Sequence, residues 1–338
     1  MSSAATEALG GGRGPVTPGS EGALVRRFFG VPTIFYVLLV MLVVNQIADP
    51  TFLAPSVFLA FLKRAAPLVL LCVGQLFVLV AGEFDLSVGA LITVLSVAAA
   101  ELISGDPGKT VWVMGVMLVI AVVVGVGNGV ITNVLRVPSF IATLGMMLVL
   151  NGAFYYWTNG APRGSLAENF RILGRGNLDL PGAGPIPWAV IVLIVLGTCA
   201  YLLMHQTTFG HRLFAVGGNP RAAALSGVDV SRTRTLAFVI SDLSAFAAGV
   251  LLAGFVGVSA RTGLGYEFRA ISAAVLGGAV LGGGGGSVPT AMAGALTLEA
   301  LFTLLNWLGF PQSVRDAAQG LIIIAAAAFA VYSSRRSG

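Results

Sequence analysis

Charge is scarce in this chain: Asp, Glu, Lys and Arg make up 10% of its 338 residues, while 57% are hydrophobic. Soluble domains carry about 25% charged and roughly 45–50% apolar residues, so a single water-soluble core is excluded. Cysteine and histidine are nearly missing, with two of each. Cys72 and Cys199 lie inside apolar runs, where a free thiol behaves as a small hydrophobe, and they support neither a disulfide nor a metal site. His205 and His211 sit in one polar stretch, and no H-E-x-x-H or G-x-S-x-G pattern occurs, which argues against an intramembrane enzyme. Gly105-Asp106-Pro107-Gly108-Lys109-Thr110 ends like a phosphate-binding loop. The full motif, however, needs glycine where Ile103 stands and a soluble strand before it. No nucleotide site or other cofactor is therefore expected in the chain itself.

What is abundant is apolar sequence in runs of about twenty residues, the length a helix needs to cross ~30 Å of hydrocarbon. The pattern predicts an all-α, polytopic transmembrane bundle with spans near 32–47, 64–82, 87–104, 111–135, 138–158, 186–204, 236–258, 267–282, 287–306 and 314–332. Residues 1–30 are rich in Gly, Ser and Pro and are expected to form a disordered cytoplasmic tail, with a transmembrane domain over 31–333 and a short cytoplasmic tail over 334–338. The first span follows Arg26 and Arg27 without a small-residue cleavage site, so it reads as a retained span.

The joints at 82–87, 136–137 and 282–287 are too short for soluble loops. They predict tight hairpins or interrupted helices within the membrane, where irregular backbone is tolerated only beside protein or a water-filled cavity. Two connections are longer. Residues 159–185 carry Arg163, Glu168, Arg171, Arg175 and Asp179 among glycines and prolines and read as an aqueous loop outside the membrane. Residues 205–235 hold His205, His211, Arg212, Arg221, Arg232 and Arg234 against one acid, Asp229, the mark of a cytoplasmic face. With both ends inside, ten of the 19 Lys and Arg residues fall inside and nine outside. Orientation therefore rests on 205–235, the Arg335-Arg336 end and the resemblance given below. The net charge of +5 is spread over loops and termini, which points to membrane flanks rather than to nucleic acid.

Glycine numbers 45, often at four-residue spacing, as at Gly125 and Gly129 or Gly278, Gly282 and Gly286. Such spacing lets helix backbones approach closely in lipid, and a flexible gate would use the same composition. Acids and amides within the apolar runs are the candidate site residues, because polar groups in lipid usually face a bundle interior or a cavity. In Gly82-Glu83-Phe84-Asp85-Leu86-Ser87-Val88-Gly89, Asp85 or Ser87 either caps the next helix or lines a path or gate. Asp242 and Glu299 could take hydrogen bonds from a polar solute or pair within the bundle. Asn128, Asn151 and Asn306 either contact solute or bridge helices. Residues 218–228 predict a short helix with Asn219 as N-cap, Pro220 at the first position and Gly227 as the stop.

The run 82–89 resembles the Gly-x-Asp-Leu-Ser-x-Gly signature of permeases in the ribose, xylose and galactose class of bacterial ABC importers. Val137-Pro138-Ser139-Phe140-Ile141-Ala142-Thr143-Leu144-Gly145 is similar to that family's Pro-Ser-Phe-Ile-x-Thr-Leu-Gly segment. The likeness continues through Thr208-Phe209-Gly210-His211, Ala215-Val216-Gly217-Gly218-Asn219, 222–228, and Ala274-Val275-Leu276-Gly277-Gly278 with the glycine run to Ser287, and covers about 33–332 in order. It implies a permease subunit of the inner membrane, as a homodimer or paralogous heterodimer, contacted by a cytoplasmic ABC ATPase that holds ATP and Mg and fed by an extracytoplasmic sugar-binding protein. It also implies coupling to the ATPase through Gly218, Asn219, Pro220, Arg221, Ala222, Ser226 and Gly227. A substrate path or gate would then use Glu83, Phe84, Asp85, Ser87, Asn128, Phe140, Asn151, Asp242, Glu299 and Asn306. The chain departs from that family at Asp242 and Glu299, where small residues are common, and in a glycine run without arginine. Rival readings are a permease of the same class for branched-chain amino acids or nucleosides, and an ion-coupled secondary transporter using Glu83, Asp85, Asp242 and Glu299.

Overall fold

A lipid-facing backbone must pair its polar groups within its own segment, which favours helices, and the chain obeys this almost throughout. The computed structural model describes residues 31–180, 184–315, 317–322 and 324; the expected tails at 1–30 and 334–338 and much of the expected span 314–332 lie outside them. Before the longest connection come α1 (Thr33–Ala48), α2 (Pro55–Val80), α3 (Val88–Ile103), α4 (Thr110–Asn133) and α5 (Ser139–Thr158). That connection holds α6 (Glu168–Arg175) and a hairpin of β1 (Asn177–Leu180) and β2 (Gly184–Pro187). Then follow α7 (Trp188–Gln206), α8 (Thr208–Gly218), α9 (Pro220–Leu225), α10 (Val230–Val256), α11 (Tyr266–Leu276) and α12 (Val288–Trp307). Among the described residues six helices are long and apolar enough to cross a membrane: α2, α4 with the turn before it, α5, α7, α10 and α12. Helices α1 and α3 are apolar but 16 residues long.

The bundle is built around α2 and α10. Every residue of 65–81 is buried, as expected of a helix that is apolar all round. Small residues set the approach of its neighbours: a Cβ at Gly74 would stand 2.4 Å from Ser244 Cβ on α10. Carbons added at Gly125 and Gly129 of α4 would meet Val239 Cα at 2.7 Å and Thr235 Cγ2 at 2.6 Å. That pair uses its four-residue spacing for helix packing.

Three expectations need correction. Gly278, Gly282 and Gly286 do not lie on a helix: α11 ends at Leu276, and 277–287 is irregular, with positive φ at Gly278, Gly283, Gly284 and Gly286. The run is too rich in residues without Cβ for helix to hold against backbone entropy. The span drawn at 267–282 is thus a helix of 11 residues. The connection 159–185 is not a plain loop either. Its helix α6 buries Phe170 and brings Gly174 so close to α10 that an added Cβ would lie 2.5 Å from Leu251 O.

The segment that mimics a phosphate loop is a helix-capping turn. Asp106 Oδ1 accepts from Gly108 N–H at 2.9 Å, and Asn169 bridges Pro107 O and the Thr110 hydroxyl.

Candidate functional site

Between α2 and α3 the helix stops and residues 81–87 run as irregular, largely buried backbone. Side chains take over the bonds that helix would have made. Phe84 N–H donates to Ser139 Oγ at 3.1 Å, and Thr143 Oγ1 donates to Phe84 O at 3.3 Å. Ser139 and Thr143 are one turn apart on α5, so one helix face holds the break from outside. Within it, Asp85 Oδ1 accepts from Ser87 N–H at 3.0 Å and from the Ser87 hydroxyl at 2.6 Å. Asn128 Nδ2 on α4 donates to Ser87 Oγ at 2.9 Å. The Gln75 amide stands 3.2 Å from both Asp85 N and Asp85 O and, with its oxygen toward N–H, bonds the two. Asp242 on α10 faces Asn128 and lies near enough to Asp85 for their charges to interact. Gln75, Asp85, Ser87, Asn128, Ser241 and Asp242 are all fully buried.

The same break is clamped at its other edge by an ion pair, Arg234 Nη1 to Glu83 Oε1 at 2.7 Å. These two residues open on a cleft of about 450 Å³ shared with Thr132, Asn133, Arg136 and Ser231.

A second irregular segment, 277–287, meets the first. Gly284 N–H donates to Val80 O at 2.9 Å. Gly217, near the end of α8, is pressed into this junction: a Cβ there would stand 1.8 Å from Val80 O and 2.4 Å from Gly284 N. A Cβ at Gly283 would lie 2.8 Å from both Gly217 O and Gly82 Cα. Three chain segments thus touch backbone to backbone, which only glycine permits.

Next to the junction lies α9. Asn219 Oδ1 accepts from Arg221 N–H and Ala222 N–H at 3.1 and 3.0 Å, Pro220 occupies the first turn, and Gly227 takes φ +82°. Gly218, Asn219, Arg221, Ala222, Ser226 and Gly227 are exposed, and Leu225 is 92% exposed.

Glu299 and Asn306 belong to a separate cavity of about 410 Å³, within the usual range for small-molecule sites. Glu299 is flanked there by Arg269, Arg64 and Arg315. Arg269 lies over the rings of Tyr266 at 5.4 Å and Phe302 at 5.1 Å, while Arg315 donates to Asn306 Oδ1 at 3.3 Å. Asn45, Asp49, Phe52 and Trp307 also stand in the wall. On α12 the start, Val288, bonds His205 at 3.3 Å near α8, so Glu299 lies eleven residues, about 16 Å, further along the axis.

The structure therefore gathers Glu83, Phe84, Asp85, Ser87, Asn128 and Asp242 around one break and puts Glu299 and Asn306 in another place. Phe140, 54% exposed, and half-buried Asn151 stand on α5 and line neither cavity. Gln75, Ser139, Thr143, Ser241, Arg64 and Arg269 were not singled out from sequence as site residues. Gln75 and Arg269, polar groups inside apolar runs, carried the same signal as Asp242.

The segments that meet here, 82–89, 137–145, 215–219 and 274–287, are those that carry the resemblance noted in the sequence. A family described as the permease component of the branched-chain amino acid transport system matches residues 57–327. The ribose import permease protein of Bacillus subtilis (strain 168) is 33% identical over 303 residues, covering 86% of this chain and 90% of that protein. The L-arabinose transport system permease protein of Escherichia coli (strain K12) is 36% identical over 264 residues, 78% of each. The galactose/methyl galactoside import permease protein of Haemophilus influenzae is 30% identical over 290 residues, 81% of this chain and 84% of the other. No solved structure matches the chain significantly. With a match over most of its length and helices suited to a membrane, the chain belongs to this family of multi-pass transport permeases.

Proposed function

We propose that the chain is the membrane-spanning subunit of an ATP-driven importer for a monosaccharide of the ribose, arabinose or galactose kind. The observation that carries this reading is the backbone junction of Gly217, Val80 and Gly284, which packs the end of α8, one residue before the exposed helix α9, against both interrupted segments. A push on α9 has no soft side chain in which to dissipate, so it would be passed to the breaks. The ribose, L-arabinose and galactose permeases among its relatives favour a sugar.

In this reading the ATPase is a separate chain that seats α9, with Arg221 and Leu225 as contacts and Asn219 and Gly227 holding the helix in shape. ATP and Mg belong to that partner, and this subunit makes and breaks no covalent bond. Both termini and 205–235 face the cytoplasm, 159–185 faces a soluble sugar-binding protein, and about ten spans, some interrupted, sit in the inner membrane. Two such subunits pair about a two-fold axis, and Phe140 and Asn151 reach the path where the protomers meet. The cavity at Glu299 suits a sugar on its way in: a carboxylate accepts from hydroxyls, Arg64 and Arg269 donate, and Trp307 and Phe52 offer ring faces. Movement of the 81–87 break then opens the lower passage.

Purification of tagged protein from native membranes in mild detergent tests the assignment. An ABC ATPase should co-purify and be lost with Arg221→Glu or Leu225→Glu. Labelled pentose and hexose uptake should be cut by neither leucine nor nucleosides. A protein that comes without any ATPase and transports in liposomes on an ion gradient alone would overturn the reading in favour of a secondary transporter.

A further inference from the structure

At the centre of the bundle five buried oxygens have no hydrogen-bond partner: Asp85 Oδ2, Asn128 Oδ1, Ser241 Oγ, and Oδ1 and Oδ2 of Asp242. All four residues are 0% exposed. Ser241 lies within loose hydrogen-bonding reach of Asp85, and Asn128 of Asp242, but neither pair meets normal hydrogen-bond geometry. An acceptor left bare in a dry interior costs about 1–3 kcal/mol, and more if charged, so five together call for a compensating group.

Protein donors do not supply it. The Ser87 hydroxyl hydrogen already goes to Asp85 Oδ1, one Asn128 Nδ2 hydrogen goes to Ser87 Oγ, and the Gln75 amide is engaged by the Asp85 backbone. What remains is the second Asn128 amide hydrogen and the Ser241 hydroxyl hydrogen, against five oxygens that include two carboxylates. Other ionisable groups on the elements packed around this point have places elsewhere: Glu83 and Arg234 pair with each other, Lys63 donates to Arg175 O, Glu101 accepts from Arg163 N–H, and Arg64 and Arg269 line the cavity at Glu299 beside Tyr266. Glu267 on α11 occupies the space a Cβ on Gly89 would fill.

We infer that Asp85, Asn128, Ser241 and Asp242 form a binding site for a small cation, held by oxygen alone, which ties the 81–87 break to α4 and α10. The donor set is hard and free of nitrogen and sulfur, which suits sodium and does not suit a transition metal; a proton held between the two carboxylates would meet the same need. The site goes beyond the transport reading and does not depend on it, because its test reads unfolding rather than uptake.

Thermal unfolding of the purified protein in detergent is followed in two series. In one, sodium replaces choline at constant ionic strength and pH; in the other, pH falls from 9 to 5 in choline alone. The wild-type midpoint should rise by about 5 °C in the first series if the ion is sodium, or in the second if it is a proton. Asp242→Asn and Asp85→Asn should each abolish the rise, and Glu267→Gln should keep it. A wild-type midpoint that is flat in both series overturns the proposal, as does a rise that survives both aspartate variants.

Discussion

Gly217 has no room for a single carbon: Val80 O would lie 1.8 Å from it. Overfilling a packed site costs about 1–3 kcal/mol or more, and here the obstacle is backbone that cannot rotate away. Gly217→Ala should therefore lower the unfolding midpoint by several degrees and reduce uptake. Gly218→Ala, whose added carbon meets nothing within 4 Å, should leave the midpoint in place. Calorimetry or fluorescence-detected unfolding of both variants checks the contrast. The Glu83–Arg234 pair is a second residue-scale test. Both side chains are mostly buried, so Glu83→Gln strands a guanidinium and should cost about 3 kcal/mol, the low end for a broken buried pair because some solvent reaches it. The swap Glu83→Arg with Arg234→Glu should recover part of that loss in a double-mutant cycle. Candidate residues were legible here by one signal, polarity inside an apolar run, and it served Asp85, Asn128 and Asp242 equally. Their grouping was not legible. Asn128 and Asp242 are brought together by the crossing of α4 and α10, which Gly125 and Gly129 permit, and nothing near Asp242 in the chain announces it.

At the scale of elements, local chemistry decides what could be foreseen. The cap at Asn219, Pro220 beside it and the left-handed Gly227 specify α9 without help from the rest of the fold. Loss of that cap by Asn219→Ala should cost about 1 kcal/mol of local helix stability. Because α9 is six residues long and exposed, the loss should appear as weaker ATPase binding rather than as a lower global midpoint. Co-purification and unfolding measured on the same preparation separate the two. The end of α11 is set locally as well: Gly278 takes φ +89°, Ala279 N–H donates to Ala274 O and Gly278 N–H to Val275 O, a left-handed glycine cap. Apolar residues that run on through Ala279, Val280 and Leu281 masked that stop. Helix α6 shows the opposite case, since it is short and polar and its burial depends on Gly174 meeting α10.

At the scale of the whole molecule, the long helices were legible because length and hydrophobicity are set by the bilayer. How the interrupted segments converge was not. The junction also predicts how motion travels. Gly284 N–H is bonded to Val80 O and should exchange slowly with solvent deuterium in the free subunit. Trapping the ATPase partner in its nucleotide-bound form should speed that exchange and that of Phe84, whose N–H rests on Ser139. Unchanged exchange at both would mean that force from α9 does not reach the breaks.

Contacts made by backbone alone also constrain genetics. A carbon forced into the junction at Gly217 cannot be accommodated by trimming a neighbouring side chain, because the atoms it meets belong to the main chain of Val80 and Gly284. Suppressors of Gly217→Ala should therefore be rare among simple substitutions, and should appear mainly as reversions or as changes in length within the run of five glycines at 282–286.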